Sequence, residues 1–511
     1  VRREAMDNKS ALGRYLSTHK DDINEVMTAY VAQLETIHKV CPTVAKSIVS
    51  ELRNQRTHLK LIASENFSSP ACHLAMGNLL TDKYAEGFAY HRYYAGCENV
   101  DAIEAYACEA ACKLFNAEHA YVQPHCGADA NVIAYWAIIN TVVQVPALEE
   151  LGVSNPSALT REQWNEIRKK TGNQRLLGLD YYSGGHLTHG YRLNVSAQMF
   201  DAYSYGVDKE TGLLDYDDIE RQAMEIKPLI LLTGYSAYPR KIDFRRMREI
   251  ADKCGAVLMV DMAHFGGLVA GKVFTGDYDP VKWADVVTAT THKTLRGPRG
   301  GIILCKDRFA ESIDQGCPLV MGGPLPNVMA AKAVELTEAN TAEYADYARR
   351  IVENAQALAN RFIENGVHVH TGGTDNHLML VDVTPFGLNG RQAENALTAC
   401  GITLNRNTLP YDVNGPWYTS GLRIGTPAVT TLGMGVEQMK EIADLITDVL
   451  KNTKPGIITK GEKAGQPSKS KIVIDPVVKE RVQKSVDRLL SEFVLYPQLD
   501  LQFLEECFCQ D

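Results

Sequence analysis

Short, almost continuous apolar runs recur through the middle of this chain: Leu229-Ile230-Leu231-Leu232, Ala256-Val257-Leu258-Met259-Val260, Val286-Val287 and Ile302-Ile303-Leu304, with helical stretches between them. A strand with one wet face alternates polar and apolar residues, so a run without alternation has to be covered on both faces. Strands of that kind spaced by helices are the units of an α/β domain, a mostly parallel central sheet flanked by helices.

Elsewhere the periodicity is helical or mixed. Apolar Ile23, Val26, Met27, Tyr30, Val31 and Leu34 predict a helix over 21–56, and a second helix over 100–115 precedes a strand at 120–123. From about residue 330 a long amphipathic stretch to 365 leads into an alternating strand at 378–383, a helix at 392–400, a strand at 402–404 and a helix at 436–450, which reads as a smaller α+β domain. The expected organisation is an N-terminal helical extension (1–57), a large cofactor-binding domain (58–330) and a small C-terminal α+β domain (331–511). Residues 141–178 look inserted and carry their own helix start, Thr160 with Gln163 three later as a capping box. Residues 452–475, rich in Gly, Lys, Ser and Pro, read as a solvated linker before a last helix opened by Asp475-Pro476, whose apolar face is Val478, Val482, Val486, Leu489, Leu490 and Phe493.

The net charge of -9 and the absence of a concentrated basic patch speak against a nucleic-acid or membrane-surface partner. Twelve cysteines are scattered without paired CxxC spacing, so no metal site is expected and a reducing compartment is. The opening Val1-Arg2-Arg3-Glu4-Ala5-Met6 lacks the apolar core of a signal peptide, and no apolar run reaches membrane-spanning length, so the expectation is a cytoplasmic enzyme.

The chemistry concentrates in Val286-Val287-Thr288-Ala289-Thr290-Thr291-His292-Lys293-Thr294-Leu295-Arg296-Gly297-Pro298-Arg299-Gly300-Gly301. A Thr-rich strand ending in His-Lys and braked by Gly-Pro holds one amine beside hydroxyl donors. An imine-forming lysine needs that, because partial burial among cations brings its pKa toward the neutral form. Asp261 ends the apolar strand before it, at the carboxyl edge where α/β proteins place ligands, and a buried carboxylate there can keep a pyridine nitrogen protonated.

Weaker signals surround these two residues. Cys126-Gly127-Ala128-Asp129-Ala130-Asn131 joins a strand to a helix, whose first N–H groups can take a phosphate. Ser236 and Thr290, both at strand ends, read as phosphate or ring donors, or as satisfied turn residues. Ser183-Gly184-Gly185-His186-Leu187-Thr188-His189-Gly190 offers a histidine to stack on a planar ring, while for His189 a packed histidine is an equal reading. Arg423, on a short strand bounded by Gly421 and Gly425, suits bidentate capture of a carboxylate.

Taken in order, LIASEN (61–66), TDKYAEG (81–87), RYY (92–94), GGHLTHG (184–190), YSAY (235–238), VDMAH (260–264), TTHKTLRGPRGG (290–301), GGTDNHL (372–378) and TSGLRIGTPA (419–428) resemble the serine hydroxymethyltransferase family over roughly residues 58–450, apart from the insert. The resemblance implies a fold type I pyridoxal phosphate enzyme that interconverts L-serine plus tetrahydrofolate with glycine plus 5,10-methylenetetrahydrofolate through an external aldimine. It implies Lys293, Glu86, His186 and Tyr94 as catalytic residues. Lys293 carries the cofactor, Asp261 pairs with the pyridine nitrogen, His186 stacks on the ring and His264 contacts the 3′ oxygen. Cys126, Gly127, Ala128, Ser236, Thr290 and His292 complete the cofactor site, with Tyr84 and Gly323 reaching the phosphate of a neighbouring subunit. Ser64 and Arg423, with Glu86 and Tyr94, bind the substrate, while Tyr93, Tyr181, Gly185, Leu187 and Asn407 line the folate site. The implied assembly is a homodimer with shared active sites, or a tetramer built from it.

Three stretches depart from the family's pattern. Cys126-Gly127-Ala128 stands for a Ser-Gly-Ser phosphate loop, Cys317-Pro318-Leu319-Val320-Met321 for Phe-Pro-Gly-x-Gln, and Ala89-Tyr90-His91 for Pro-Gly-Lys before Arg92-Tyr93-Tyr94. Two other readings use the same residues: a folate-independent aldolase or racemase, and a catalytically silent paralogue. The presence of Lys293, Asp261, Glu86 and Arg423 argues against the second.

Overall fold

A computed structural model describes residues 10–153 and 155–510, so the opening residues read above for a leader lie outside it. The apolar runs form four adjacent strands of a seven-stranded sheet: β1 His119–Tyr121, β2 Arg175–Leu179, β3 Asp201–Tyr205, β4 Ile230–Gly234, β5 Val257–Asp261, β6 Val286–Thr290 and β7 Gly301–Cys305. Their order is β1-β7-β6-β5-β4-β2-β3, parallel throughout except that β7 runs against both β1 and β6.

Burial on both faces explains the missing alternation. Leu231, Leu258, Val260, Val287, Ala289, Ile302 and Leu304 enter one core with Phe244, Met247 and Ile250. Their neighbours Ile230, Leu232, Val257, Met259, Val286 and Ile303 enter the other with Ala134, Ile138 and Phe309. At about 25 cal/mol per Å² of apolar surface, such fully buried positions are each worth roughly 1.5–3 kcal/mol.

Register brings the carboxyl ends together. Gly234 lies opposite Asp261, and Asp261 opposite Thr288. Gly234 has φ +125°, and a Cβ there would lie 2.0 Å from the Asp261 carbonyl oxygen, so the sheet edge closes only over a glycine at this point.

The three-stranded antiparallel sheet of the C-terminal part has the order Leu378–Asp382, Gly421–Gly425, Asn405–Asn407. Leu59 and Leu61 join its core, and Leu59–Lys60 pairs in parallel with Ile402–Thr403, which carries the 61–66 segment to the site.

Several expectations change. The helix expected over 21–56 is two, Glu25–Val40 and Pro42–Thr57, because Pro42 cannot continue the first and starts the second. Ile23 precedes the Asn24 cap and is 49% exposed. The amphipathic stretch near 330–365 is likewise two helices, Pro326–Ala339 and Ala342–Glu364. The expected linker is a β-ribbon, Thr453–Ile457 paired with Pro467–Ile474. Asn389 Nδ2, Gln392 Nε2 and Asn395 Nδ2 donate to the carbonyls of Lys469, Ser468 and Ser470, and so hold the ribbon on the body. Thr160 and Gln163 form the expected capping box of Arg161–Thr171. The helical stretch Gly127–Glu150 is long and apolar enough to cross a membrane by length and composition alone. Its residues Ala130, Ile133, Ala134, Ala137 and Ile138 are spent on the core against the sheet.

Candidate active site

A polar cavity of about 370 Å³ opens at the carboxyl ends of β4–β6, lined among others by Ser64, Tyr181, His186, Ser236, Lys293 and Arg423. Gly185, Leu187, His264 and Asn407 line it as well. Ten residues expected at the site from sequence therefore share one space.

Lys293 follows β6, and burial pulls its pKa down to about 8, against the raising effect of Asp261 and with help from Arg423 and Arg299. A fraction of its amine is therefore neutral and nucleophilic near neutral pH. The turn behind it is tied from the 61–66 segment: Asn66 Nδ2 donates to the Lys293 carbonyl at 2.9 Å and to Tyr347 Oη at 2.8 Å.

Asp261 is 6% exposed. Its Oδ2 accepts from Asn131 Nδ2 at 2.9 Å and lies 3.1 Å from His189 Nε2, and its Oδ1 accepts from the Ala263 N–H at 3.0 Å. Burial pushes this carboxyl upward, but the hydrogen bonds and the His189, His186 and Asn131 contributions outweigh it and hold the carboxylate well below the usual range. Asn131 is in turn fixed by Thr288 Oγ1, at 2.6 Å to its Oδ1, and by Thr188.

Four histidines near Lys293 are kept neutral. Burial lowers His186 to about 4, His292 to about 3 and His377 to about 3, and takes His264 well below its ordinary value. His186 Nδ1 lies 2.8 Å from Thr188 Oγ1, which sets the ring plane. His264 and His377 stack at 5.4 Å with Nδ1 to Nε2 at 3.2 Å.

Arg423 is held by the Ser236 carbonyl at 2.8 Å and Asn405 Oδ1 at 3.2 Å, and burial lowers its pKa to about 10, so it stays a cation. Thr290 gives its hydroxyl proton to the Ala263 carbonyl at 3.0 Å, which leaves it an acceptor rather than the expected donor toward an anion.

These residues fit pyridoxal phosphate. Cys126 caps Gly127–Ile139 without a side-chain cap bond, so the first-turn N–H groups remain available to an anion. The buried Nδ1 atoms of His292 and His377 have no partner within the protein. Lys293, with its lowered pKa, suits an aldehyde, and an ionised Asp261 suits a pyridinium.

Glu86, Tyr84, Tyr93, Tyr94 and Gly323 lie outside the cavity lining. They form a second cluster. Tyr84 Oη donates to Glu86 Oε1 at 3.2 Å, the Tyr84 and Tyr94 rings meet edge-on at 5.0 Å, and Gly323 packs on the Tyr84 ring. Tyr84, Tyr93 and Tyr94 are 54%, 73% and 46% exposed. Sequence reading did not assign roles to Asn66, Asn131 or His377, although each stands in a string it singled out.

A family model described as Serine hydroxymethyltransferase matches residues 37–160 and 164–446. The chain is 60% identical over 502 residues to the serine hydroxymethyltransferase of Treponema pallidum (strain Nichols), covering 98% of this chain and 87% of that one. It is 57% identical over 478 residues to that of Salinispora tropica, covering 94% and 99%. Over 498 residues it is 48% identical to that of Chlamydia trachomatis serovar L2, covering 97% and 99%.

Proposed function

The chain belongs to the serine hydroxymethyltransferase family, and from that premise we propose which of its residues carry the reaction. The enzyme interconverts L-serine plus tetrahydrofolate with glycine plus 5,10-methylenetetrahydrofolate, using pyridoxal phosphate. When bound, the cofactor supplies an electron sink for the bond broken at the substrate α-carbon.

Lys293 holds the cofactor through its amine, and the observation that carries this assignment is its place in the cavity lining with Arg423, where burial brings its pKa to about 8 against the raising charge of Asp261. Asp261 keeps the pyridine nitrogen protonated, because Asn131 and Ala263 donate to its carboxylate and His189 contacts it. His186, uncharged at neutral pH, stacks on the ring without adding a repelling cation beside Lys293. Arg423, oriented by Ser236 and Asn405, takes the substrate carboxylate with Ser64 beside it. Tyr181, Gly185, Leu187 and Asn407, which line the same cavity, receive the folate. Membership of the family supports the folate-dependent reading over the folate-independent one.

The exposed Tyr84–Glu86–Tyr94 cluster serves the site of a second subunit, where Glu86 handles the proton of the substrate hydroxyl and Tyr93 meets the folate. Its exposure beside Gly323 supports a homodimer with shared sites. The twelve free cysteines support a reducing, cytoplasmic setting.

Coexpression tests the assignment. Lys293→Ala and Glu86→Gln should each abolish folate-dependent serine turnover, and the coexpressed mixture should recover about a quarter of it, since about half of its dimers are mixed and one of the two sites in each of those is intact. No recovery, with both variants folded and dimeric, would place Glu86 in its own subunit's site.

A further inference from the structure

Lys332, on the helix Pro326–Ala339, is 1% exposed and absent from the cavity lining. Its ammonium donates to three backbone carbonyls, Val122 at 2.6 Å, Pro124 at 2.9 Å and Gly301 at 2.8 Å. An ammonium has three protons, one for each of these carbonyls, and this bonding favours the charged form against burial, which pulls the pKa down to about 7. Burying a charge is tolerated only when it is fully bonded in this way.

The three carbonyls belong to two segments. Val122 and Pro124 lead from β1 into Cys126, the cap of Gly127–Ile139. Gly301 starts β7 opposite Thr290, at the end of the turn that carries Lys293. That turn is closed by Thr291, whose Oγ1 donates to the Pro298 carbonyl at 2.6 Å and whose N–H donates to the Gly300 carbonyl at 3.1 Å. The Gly301 N–H reaches back to the Pro124 carbonyl at 3.0 Å.

Space requires the glycines of this run. A Cβ at Gly300 would lie 2.4 Å from Lys332 Cε, and one at Gly297 would lie 2.3 Å from Glu335 Cγ. Gly-Pro-Arg-Gly-Gly is therefore the surface on which the Pro326–Ala339 helix presses. Both carboxyl oxygens of Glu335 are buried without a hydrogen-bond partner, so this carboxyl acts on Lys332 through its charge, which favours the ammonium, and not through a hydrogen bond.

We propose that Lys332 is a positioning residue of the cofactor site: one ammonium, holding the carbonyls of Val122, Pro124 and Gly301, fixes the anion-binding helix start and the Lys293 turn at a set separation before the cofactor arrives. The proposal rests on the assignment of Lys293 and the Gly127 helix start to the cofactor. Lys332 itself touches neither the reacting atoms nor the anion.

The test uses the holoenzyme. Lys332→Met keeps the length and removes the donors, and it should release pyridoxal phosphate at least tenfold faster; Lys332→Gln, with two amide protons, should fall between it and the parent. The gap between the melting temperatures of holoenzyme and apoenzyme should shrink in both variants. A purely structural lysine would lower both temperatures equally and leave the release rate at the parental value, and that result overturns the proposal. Hydrogen exchange in the unsubstituted apoenzyme gives a test that needs no variant to fold. The amides of Ala130, Thr291, Gly297 and Gly301, each hydrogen-bonded within the protein, should stay slow without cofactor, whereas exchange as fast as in an exposed loop would also overturn it. Lys293→Ala, run beside these, separates the two failures. Covalent attachment retained there removes the underlying assignment, while attachment lost there with parental release from Lys332→Met removes only the role of Lys332.

Discussion

Asn66 donates through Nδ2 to the carbonyl oxygen of Lys293 at 2.9 Å, across 227 positions of chain. Its Oδ1 accepts from Thr431 Oγ1 at 2.7 Å and from the Phe67 N–H at 2.9 Å, so one amide joins the N-terminal segment, the lysine turn and the 427–431 helix. Through Leu59–Lys60 that segment pairs with Ile402–Thr403 and joins the core of the C-terminal part, so the amine's backbone is also fixed from outside the seven-stranded sheet.

Asn66→Ala should therefore do more than remove one hydrogen bond. Groups left buried without partners cost about 1–3 kcal/mol each, so both apoenzyme stability and cofactor retention should fall. Urea unfolding of the apoenzyme and the rate of cofactor release would check this. Unchanged values in both would show that water replaces the amide.

Lys293 itself is expected to destabilise the apoenzyme. Its folded pKa of about 8 lies below the unfolded value of 10.5, so the unfolded chain binds more protons between those values and stability rises with pH across that window. Lys293→Met should be more stable than the parent apoenzyme at pH 7 by roughly 3 kcal/mol. The gain should shrink above pH 8 and vanish near pH 10.5. A gain independent of pH would mean that packing, not the buried charge, is responsible.

What the sequence disclosed and what it hid divide along chain distance. Lys293, Asp261 and the Cys126–Gly127 helix start stand at the ends of strands whose apolar runs announce themselves, and strand ends are where such sheets bind ligands. Asn66, Asn131 and His377 act through partners dozens to hundreds of residues away, so no local pattern shows which hydrogen bond each makes. The 453–474 ribbon was hidden for another reason. Of the strand Pro467–Ile474 only Ser468 is buried, and Lys469 and Lys471 point outward, so an edge ribbon held by amide side chains carries the composition of a linker.

Arg423 is predicted to set serine affinity. Its guanidinium is already desolvated and oriented by Ser236 and Asn405. Losing a charge-assisted bidentate pair in such a site costs about 3 kcal/mol, on the order of a hundredfold in affinity. Arg423→Ala should raise the serine requirement by that factor, and Arg423→Lys should recover only part of it, since an ammonium lacks the planar fork. A serine titration followed by the cofactor's absorbance would measure it. An unchanged titration would assign the carboxylate to another cation.

The phosphate end offers the last comparison, because Cys126 caps its helix without a side-chain bond and Thr290 has already given its proton to Ala263. Hydroxyl donors to an anion are worth roughly 1.5–3 kcal/mol each, so Cys126→Ser should slow cofactor release. A serine at this position has two uses. As a helix cap its oxygen accepts from the first-turn N–H groups and stabilises the apoenzyme by about 1 kcal/mol, but those same N–H groups are then withdrawn from the anion. As a donor it strengthens the anion site and leaves the apoenzyme unchanged. Ala128→Ser, inside the helix, has no capping alternative and isolates the donor effect. Release rates measured beside apoenzyme melting temperatures distinguish the cases: slower release at constant apoenzyme stability marks a donor, and a stabilised apoenzyme with unchanged release marks a cap. Identical behaviour of both variants and the parent would mean that the helix N–H groups already saturate the phosphate oxygens.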